Sequence, residues 1–179
     1  MTSNQTEARL LEDIYTDLIA RLDTSHYYIK RASVVEKILF DNRSFYPKFE
    51  KIDEPFNDTL LKQHQNKELI VALCLLKDGY TNSLVIEYKG KEVKKFYYTI
   101  RQLFSHIDIT EYSILEGKRE SHIQVFIKTK TIALQEAEAK LLSISQMLSL
   151  KLPKEWQTLP STSLPLQYNI VTLPYKLLY

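Results

Sequence analysis

The order of the hydrophobic patterns in the second half of the chain constrains the fold more than any other feature of the sequence. From residue 83 onward, short apolar runs typical of strands alternate with longer runs at helical spacing. The predicted segments are strands at 83–89, 107–115, 121–129 and 168–173, and helices at 92–104 and 132–150. Strand, helix, strand, strand, helix, strand is the order of a split βαβ, or ferredoxin-like, unit. We therefore predict an α+β fold with a four-stranded antiparallel sheet, both helices on one face and the other face open.

The strand predicted at residues 121–129 shows this patterning most clearly. Ile123, Val125 and Ile127 occupy alternate positions, and His122, Gln124 and Phe126 occupy the other set. Such alternation is typical of a strand with one buried and one accessible face.

The first half of the chain carries weaker patterns. Residues 6–22 place Leu11 and Leu18 on one stripe at helical spacing, which predicts an amphipathic helix. Residues 27–67 show little periodicity, and we predict short helices and loops there. The apolar run at residues 68–76 predicts a buried strand.

A short helix is predicted at residues 57–65, because Asn57 or Asp58 can cap its first turn. At 179 residues the chain has the length of a single domain. We predict that this domain consists of a mostly helical N-terminal part, residues 1–67, and an α+β core, residues 68–179.

Composition excludes several classes of protein. The 24 basic and 22 acidic side chains leave a net charge of only +2, so a polyanion is expected to bind in a local pocket rather than along a groove. With three glycines, neither GxGxxG nor GxxxxGK[ST] can be written, which excludes a Rossmann dinucleotide site and a P-loop. Cys74 is the single cysteine, and its apolar surroundings predict a buried, unreactive thiol.

The chain shows no feature of a membrane or secreted protein. No segment approaches 18 consecutive apolar residues, and the first residues, MTSNQTEARL, do not resemble a secretory signal. We expect a cytoplasmic protein that does not insert into a membrane.

A first candidate for chemistry is Glu87, which lies between Ile86 and Tyr88 in the first core strand. On an open sheet face this acid is a candidate metal ligand. The alternative is an ordinary solvated acid on the polar face of a strand.

A second candidate is the turn that leads into the strand at residues 121–129. Lys118, Arg119 and His122 lie within five residues and offer a point charge, a bidentate fork and a ring donor. Such a group suits a di- or triphosphate. A solvated hairpin tip has the same composition and remains the alternative.

A third candidate is Asn169, which opens the apolar strand that Pro174 ends. Its amide carries donors and an acceptor, and so can bind a base edge or a sugar hydroxyl. The alternative is that Asn169 only begins the strand.

In this order, the three segments resemble the archaeo-eukaryotic primase (prim-pol) superfamily. Its first motif, two aspartates separated by one residue at a strand end, holds divalent metal, and LVIEYKG is similar. Its second motif, a small residue, any residue and a histidine, contacts the incoming triphosphate, and Glu120-Ser121-His122 followed by IQVFI is similar. A third region with Asn, apolar residues and Leu-Pro resembles residues 169–174. The chain also resembles, over nearly all its length, an uncharacterised protein family of Helicobacter-group bacteria with this fold.

The resemblance implies binding of a nucleoside triphosphate, and in particular a deoxynucleotide such as a purine deoxynucleoside triphosphate. It implies Mg or Mn bound together with the nucleotide, and Glu87 as a candidate metal ligand. The nucleotide-binding residues that it implies are Lys118, Arg119, Ser121, His122 and Asn169.

Two departures from the superfamily pattern bear on catalysis. Lys89 stands where the second aspartate would fall, and residues 156–179 contain no Asp or Glu. Because two-metal phosphoryl transfer needs carboxylates to fix both ions, we expect a degenerate domain that binds a nucleotide without polymerising it.

Two other hypotheses stay open at the level of sequence. One is a module that binds single-stranded nucleic acid or a protein on the open sheet face, since RNA-recognition domains share this strand order. The other retains catalysis, with a metal site completed by acids such as Asp41, Asp53 or Asp108 brought in by folding.

Overall fold

A computed structural model describes residues 3–179, which form four α-helices, eleven β-strands and a 3-10 turn at Leu166–Tyr168. The helices are α1 Ser3–Ala20, α2 Asp58–Gln65, α3 Val93–His106 and α4 Leu134–Ser149. The strands are β1 Asp23–Lys30, β2 Ile38–Phe40, β3 Arg43–Phe45, β4 Phe49–Ile52, β5 Val71–Cys74, β6 Tyr80–Tyr88, β7 Tyr112–Glu116, β8 Ile123–Ala133, β9 Trp156–Leu159, β10 Ile170–Thr172 and β11 Lys176–Leu177. Residues 1 and 2, at the start of the predicted N-terminal part, lie outside the described residues.

The elements with strong periodicity form close to where the sequence predicts them. In α4, residues at spacings of three and four, such as Ala137, Leu141 and Ile144, are buried. Helix α2 begins after Asn57, whose side chain accepts a hydrogen bond from the Leu60 backbone N–H at 3.0 Å, so the predicted cap is confirmed.

The core sheet has the strand order β11-β7-β8-β6-β9, and all its pairings are antiparallel. The order β9-β6-β8-β7 is that of a split βαβ unit, as the sequence predicts. The fourth strand, however, is β9 rather than the strand predicted at residues 168–173. Trp156 and Leu159 of β9 are buried against the sheet, opposite Tyr88 and Val85 of β6.

The segment predicted as the last core strand joins a second sheet instead. Its order is β10-β5-β1-β4, again antiparallel. Residues 1–67 were predicted to be mostly helical, and that prediction is wrong, because β1 to β4 lie there. In β1 the adjacent residues Tyr27 and Tyr28 are both buried, so the strand shows no alternation of apolar and polar positions.

The two faces of the core sheet pack against different partners. Helices α3 and α4 cover one face, where Phe96 and Leu148 belong to the same cluster as Ile86 and Val125. The other face was predicted to be open and is covered by α1 and the second sheet.

The covered second face explains why β8 differs from its predicted pattern. Phe126 on that face packs in one cluster with Leu18 of α1 and Leu73 of β5. Residues 123–127 are therefore all buried, and the prediction of a half-buried strand is wrong there.

No helix within residues 3–179 has the length and apolar character needed to cross a lipid bilayer.

Candidate functional site

A cavity of about 590 Å³ lies where the second face of the core sheet meets the second sheet. The core sheet contributes the end of β6, the turn between β7 and β8 and the beginning of β8. The second sheet contributes β10, including Ile170, and the beginning of β4 at Phe49 with the two residues before it. The two sheets therefore pack together through a shared apolar interior and leave the cavity at one end of it.

Most of the residues predicted from the sequence meet in this cavity. Glu87 lines it from β6, and Lys118, Arg119, Ser121 and His122 line it from the β7–β8 turn. These side chains come from two antiparallel neighbours in the sheet, because Tyr88 pairs with Ile123. Asn169 is the one predicted site residue that does not line the cavity.

The amide of Asn169 is used within the protein. Its Oδ1 accepts a hydrogen bond from Ser161 N at 2.8 Å, and its Nδ2 donates to Ser161 O at 3.0 Å and to Leu164 O at 3.3 Å. Asn169 is buried, and the cavity is lined by its neighbours Tyr168 and Ile170 instead. The structure gives this residue the role of holding the loop before β10.

Three lysines missed as site residues also line the cavity. They are Lys30 at the end of β1, Lys48 before β4 and Lys89 after β6. Within the described part of the chain, they make five cationic side chains together with Lys118 and Arg119, against the single acid Glu87. Lys30 and Lys48 lie in a segment without a clear pattern, so only the fold brings them here.

The position of His122 depends on Gly117. A Cβ at residue 117 would lie 2.5 Å from His122 Nδ1 and 2.9 Å from its Cγ, so only glycine lets the ring pack here. The turn is closed by hydrogen bonds from Gly117 N to His122 O at 2.8 Å and from His122 N to Arg119 O at 2.9 Å.

His122 presents an unused ring nitrogen. Its Nε2 is buried and has no hydrogen-bond partner among residues 3–179. Burial of the ring, followed by the positive charge of Lys89, lowers its pKa to about 4. The ring is therefore neutral at physiological pH while the cavity holds no anion.

Glu87 sits in a row of polar side chains on the cavity side of the core sheet. It pairs across the sheet with Gln124 of β8 and with Gln157 of β9. Burial raises the pKa of the Glu87 carboxyl, while the nearby Lys89 and a hydrogen bond from Gln124 act in the opposite direction.

Gln124 is the functional candidate that the sequence did not predict. The side chain is fully buried, and its Nε2 donates to Thr172 O at 2.8 Å and to Glu87 Oε1 at 3.5 Å. Its Oε1 is buried without a partner in the described part of the chain. The available signal was a glutamine within the otherwise apolar run IQVFI. Because this face of the sheet was predicted to be open, Gln124 was interpreted as a solvent-exposed residue.

The donor set does not fit a divalent ion held by the protein. Within the described residues, no group of three or more His, Cys, Asp or Glu side chains could hold a metal. None of Asp41, Asp53 and Asp108 lines the cavity, and Asp53 pairs with Lys51 at 2.9 Å. Folding therefore does not complete the metal site that the catalytic hypothesis requires.

Residues 13–81 are similar to a domain family of unknown function, DUF1882. The match runs from α1 to the beginning of β6, so it includes Lys30 and Lys48 of the cavity but not the β7–β8 turn. No curated protein matches the chain.

Proposed function

We propose that the cavity binds a nucleoside triphosphate, in particular a deoxynucleotide such as a purine deoxynucleoside triphosphate, and that the domain does not polymerise it. The observation that carries this proposal is the cavity's charge: five cationic side chains and His122 surround one buried acid. A lining of this kind suits a compact polyanion, because each phosphate oxygen can accept charge-assisted hydrogen bonds.

The size and the apolar part of the cavity support a nucleotide over a simple phosphate. At about 590 Å³ the cavity falls within the range of about 300–1,000 Å³ that is usual for small-molecule sites. Phe49, Leu159 and Ile170 contribute apolar surface, and Tyr168 contributes an aromatic ring. We place the phosphates at Lys118, Arg119 and His122, and the base and sugar against the apolar side.

The same residues argue against polymerisation. Glu87 is buried beside Lys89, and no second acid among residues 3–179 lines the cavity. Two-metal phosphoryl transfer requires carboxylates that fix both ions. In this proposal any Mg or Mn enters with the phosphates of the nucleotide, and Glu87 is not required to hold it.

No observation favours the alternative module that binds nucleic acid or protein on an open sheet face. That face packs against α1 and the second sheet, so the surface on which the module depends is covered.

The proposal is tested by titrating the purified protein with the eight common ribo- and deoxynucleoside triphosphates. A ligand at 100 times its dissociation constant should stabilise the native state by about 2.7 kcal/mol, which a thermal shift detects. Arg119→Ala and His122→Ala should each weaken binding by about tenfold or more, because each removes a charge-assisted contact to phosphate. Lys94→Ala on α3, an exposed lysine on the far side of the core sheet, is the control and should bind normally.

Two results would contradict the proposal. If none of the eight triphosphates shifts the unfolding midpoint, the cavity is not a nucleotide site. If the protein extends or synthesises a primer in the presence of manganese, the domain is a polymerase.

A further inference from the structure

The orientation of the Gln124 amide is fixed by its surroundings. The Thr172 carbonyl oxygen can only accept a hydrogen bond, and it lies 2.8 Å from Gln124 Nε2. The opposite assignment of the amide would place two acceptors in contact. Gln124 Oε1 therefore points away from β10, and it stays buried without a donor among the described residues.

Glu87 presents a second acceptor beside it. The two residues are direct partners across β6 and β8, and both line the cavity. The hydrogen bond between them is long, at 3.5 Å, and is the only hydrogen bond to the Glu87 carboxyl within residues 3–179. Buried acceptors without good donors are unfavourable, so the pair is suited to a ligand that supplies the donors.

The charge of the cavity indicates what kind of donor this is. With five cationic side chains around it, a cationic ligand group would be repelled. A neutral N–H or O–H group avoids that repulsion and matches two neighbouring acceptors. The phosphates of a nucleotide carry no such donors when ionised, whereas its base and sugar do.

We propose that Glu87 and Gln124 form a specificity subsite that accepts hydrogen bonds from the nucleoside part of the ligand. This inference rests on the proposed function and assigns Glu87 a role different from the metal ligand that the prim-pol resemblance implies. The donor is either an amine or imide N–H of the base or a hydroxyl of the sugar.

The experiment compares inorganic tripolyphosphate with the nucleoside triphosphates by isothermal titration calorimetry. In Glu87→Gln the new amide can donate to Gln124 Oε1, so this acceptor is satisfied within the protein and the paired acceptors of the subsite are lost. The affinity for the best nucleoside triphosphate should fall by roughly 10- to 100-fold, as expected for a lost hydrogen bond to a charged group. The affinity for tripolyphosphate should not fall, because the phosphates bind elsewhere.

Gln124→Met is the second variant, since it removes the acceptor and nearly keeps the volume of the side chain. It should lose nucleotide affinity in the same selective way, and Glu87→Gln covers the case in which Gln124→Met folds poorly. Glu111→Gln, at an exposed acid before β7, is the matched control and should change neither affinity.

Nucleotide analogues then locate the donor. If analogues without the exocyclic amine lose affinity in the wild type but not in Glu87→Gln, the donor is on the base. If 2′-deoxy or 2′,3′-dideoxy analogues behave in this way, the donor is a sugar hydroxyl. The proposal is overturned if both variants bind the nucleoside triphosphates as the wild type does, or if they lose tripolyphosphate and nucleotide equally. Absence of binding to tripolyphosphate and to every nucleotide in the wild type overturns the proposed function itself.

Discussion

At the scale of single residues, the site depends on a glycine as much as on its charged side chains. Gly117 lies against the His122 ring, and the space between them is too small for a methyl group. The sequence indicates a turn at Gly117, but the contact with His122 follows only from the hairpin geometry of β7 and β8.

Gly117→Ala should therefore disturb binding without removing any functional group. The added Cβ would lie 2.5 Å from His122 Nδ1, so the ring must move away from its place in the cavity. We expect a loss of nucleotide affinity similar to that of His122→Ala, measured by titration. Gly79→Ala is the control. Its φ of 81° makes alanine unfavourable by about 1 kcal/mol, yet apart from its two chain neighbours no described residue has an atom within 4 Å of the new Cβ. Normal binding by Gly117→Ala would show that the position of the ring is unimportant.

His64 is a second buried histidine, but its ring is fully used. Its Nδ1 accepts from Val71 N at 3.0 Å, its Nε2 donates to Leu173 O at 2.8 Å, and the ring stacks on Tyr175 at 4.3 Å. These contacts require the neutral ring. Burial lowers the pKa of His64 to about 4, despite the opposing hydrogen bond to Leu173.

The stability of the protein should therefore fall in mild acid. Because the pKa of His64 is lower in the folded than in the unfolded chain, the unfolded chain takes up a proton first as the pH decreases. The stabilisation that the neutral His64 ring provides is fully present above pH 6.5 and is lost as the pH falls to about 4. It amounts to about 3 kcal/mol. Burial of Glu87 has the opposite sign, since its raised pKa favours the folded state at low pH.

Urea unfolding at pH 7 and pH 4.5 measures this difference. His64→Gln should be less stable than the wild type at pH 7 and should lose less stability between the two values. His122→Ala is the comparison that removes the other histidine with a lowered pKa. An equal loss in wild type and His64→Gln would assign the acid sensitivity to other groups.

At the scale of elements, the sequence predicts what local periodicity determines. Helices α3 and α4 carry enough residues to show their period, and strands β6 and β8 are long enough to stand out as apolar runs. Strand β9 has four residues between Pro153 and Pro160, which is too short to show a period. The β2–β3 hairpin was missed although Asp41 and Asn42, with φ of 48° and 58°, are typical residues for its turn.

The residues of the candidate site likewise divide into those that local sequence could predict and those that only the fold brings together. Lys118, Arg119, Ser121 and His122 could be predicted because neighbours along a turn stay neighbours in the fold. Lys30 and Lys48 could not, because only the pairing of distant strands brings them to the cavity. Gln124 was visible in the sequence, but its hydrogen bond to the Thr172 carbonyl depends on the position of β10.

Asn169 was predicted to bind the ligand, but in the structure it holds the loop before β10, and a substitution can distinguish these two roles. Its amide makes three hydrogen bonds to the backbone of residues 161 and 164, ahead of β10. Asn169→Ala should therefore lower the free energy of unfolding by about 2–3 kcal/mol, as measured in urea. At a temperature where the variant is folded, its nucleotide affinity should stay within a few-fold of the wild type. A large loss of affinity with unchanged stability would restore Asn169 as a ligand-binding residue.

At the scale of the whole molecule, the two sheets share one interior. Val85 and Leu159 of the core sheet lie in the same cluster as Val71 and Val171 of the second sheet. The C-terminal segment also passes from one sheet to the other, since β10 pairs with β5 and β11 pairs with β7. The cavity therefore exists only where both sheets are in place, and its charges come from both.

The prediction of a single domain can accordingly be tested by a substitution in one sheet and a measurement in the other. Trp156 is the only tryptophan, and it reports on the core sheet from β9, where its Nε1 donates to Ser145 Oγ of α4 at 2.9 Å. Leu73 of β5 lies in the second sheet, where it is fully buried. Leu73→Ala should destabilise the protein by about 2–5 kcal/mol through the cavity that it leaves.

If the sheets unfold as one unit, Trp156 fluorescence and far-UV circular dichroism should show one coincident transition, shifted equally by the substitution. Leu148→Ala in α4 should shift both signals in the same manner. A fluorescence transition that stays at the wild-type position in Leu73→Ala would instead mean that the core sheet folds independently, and that the cavity lies between two separable units.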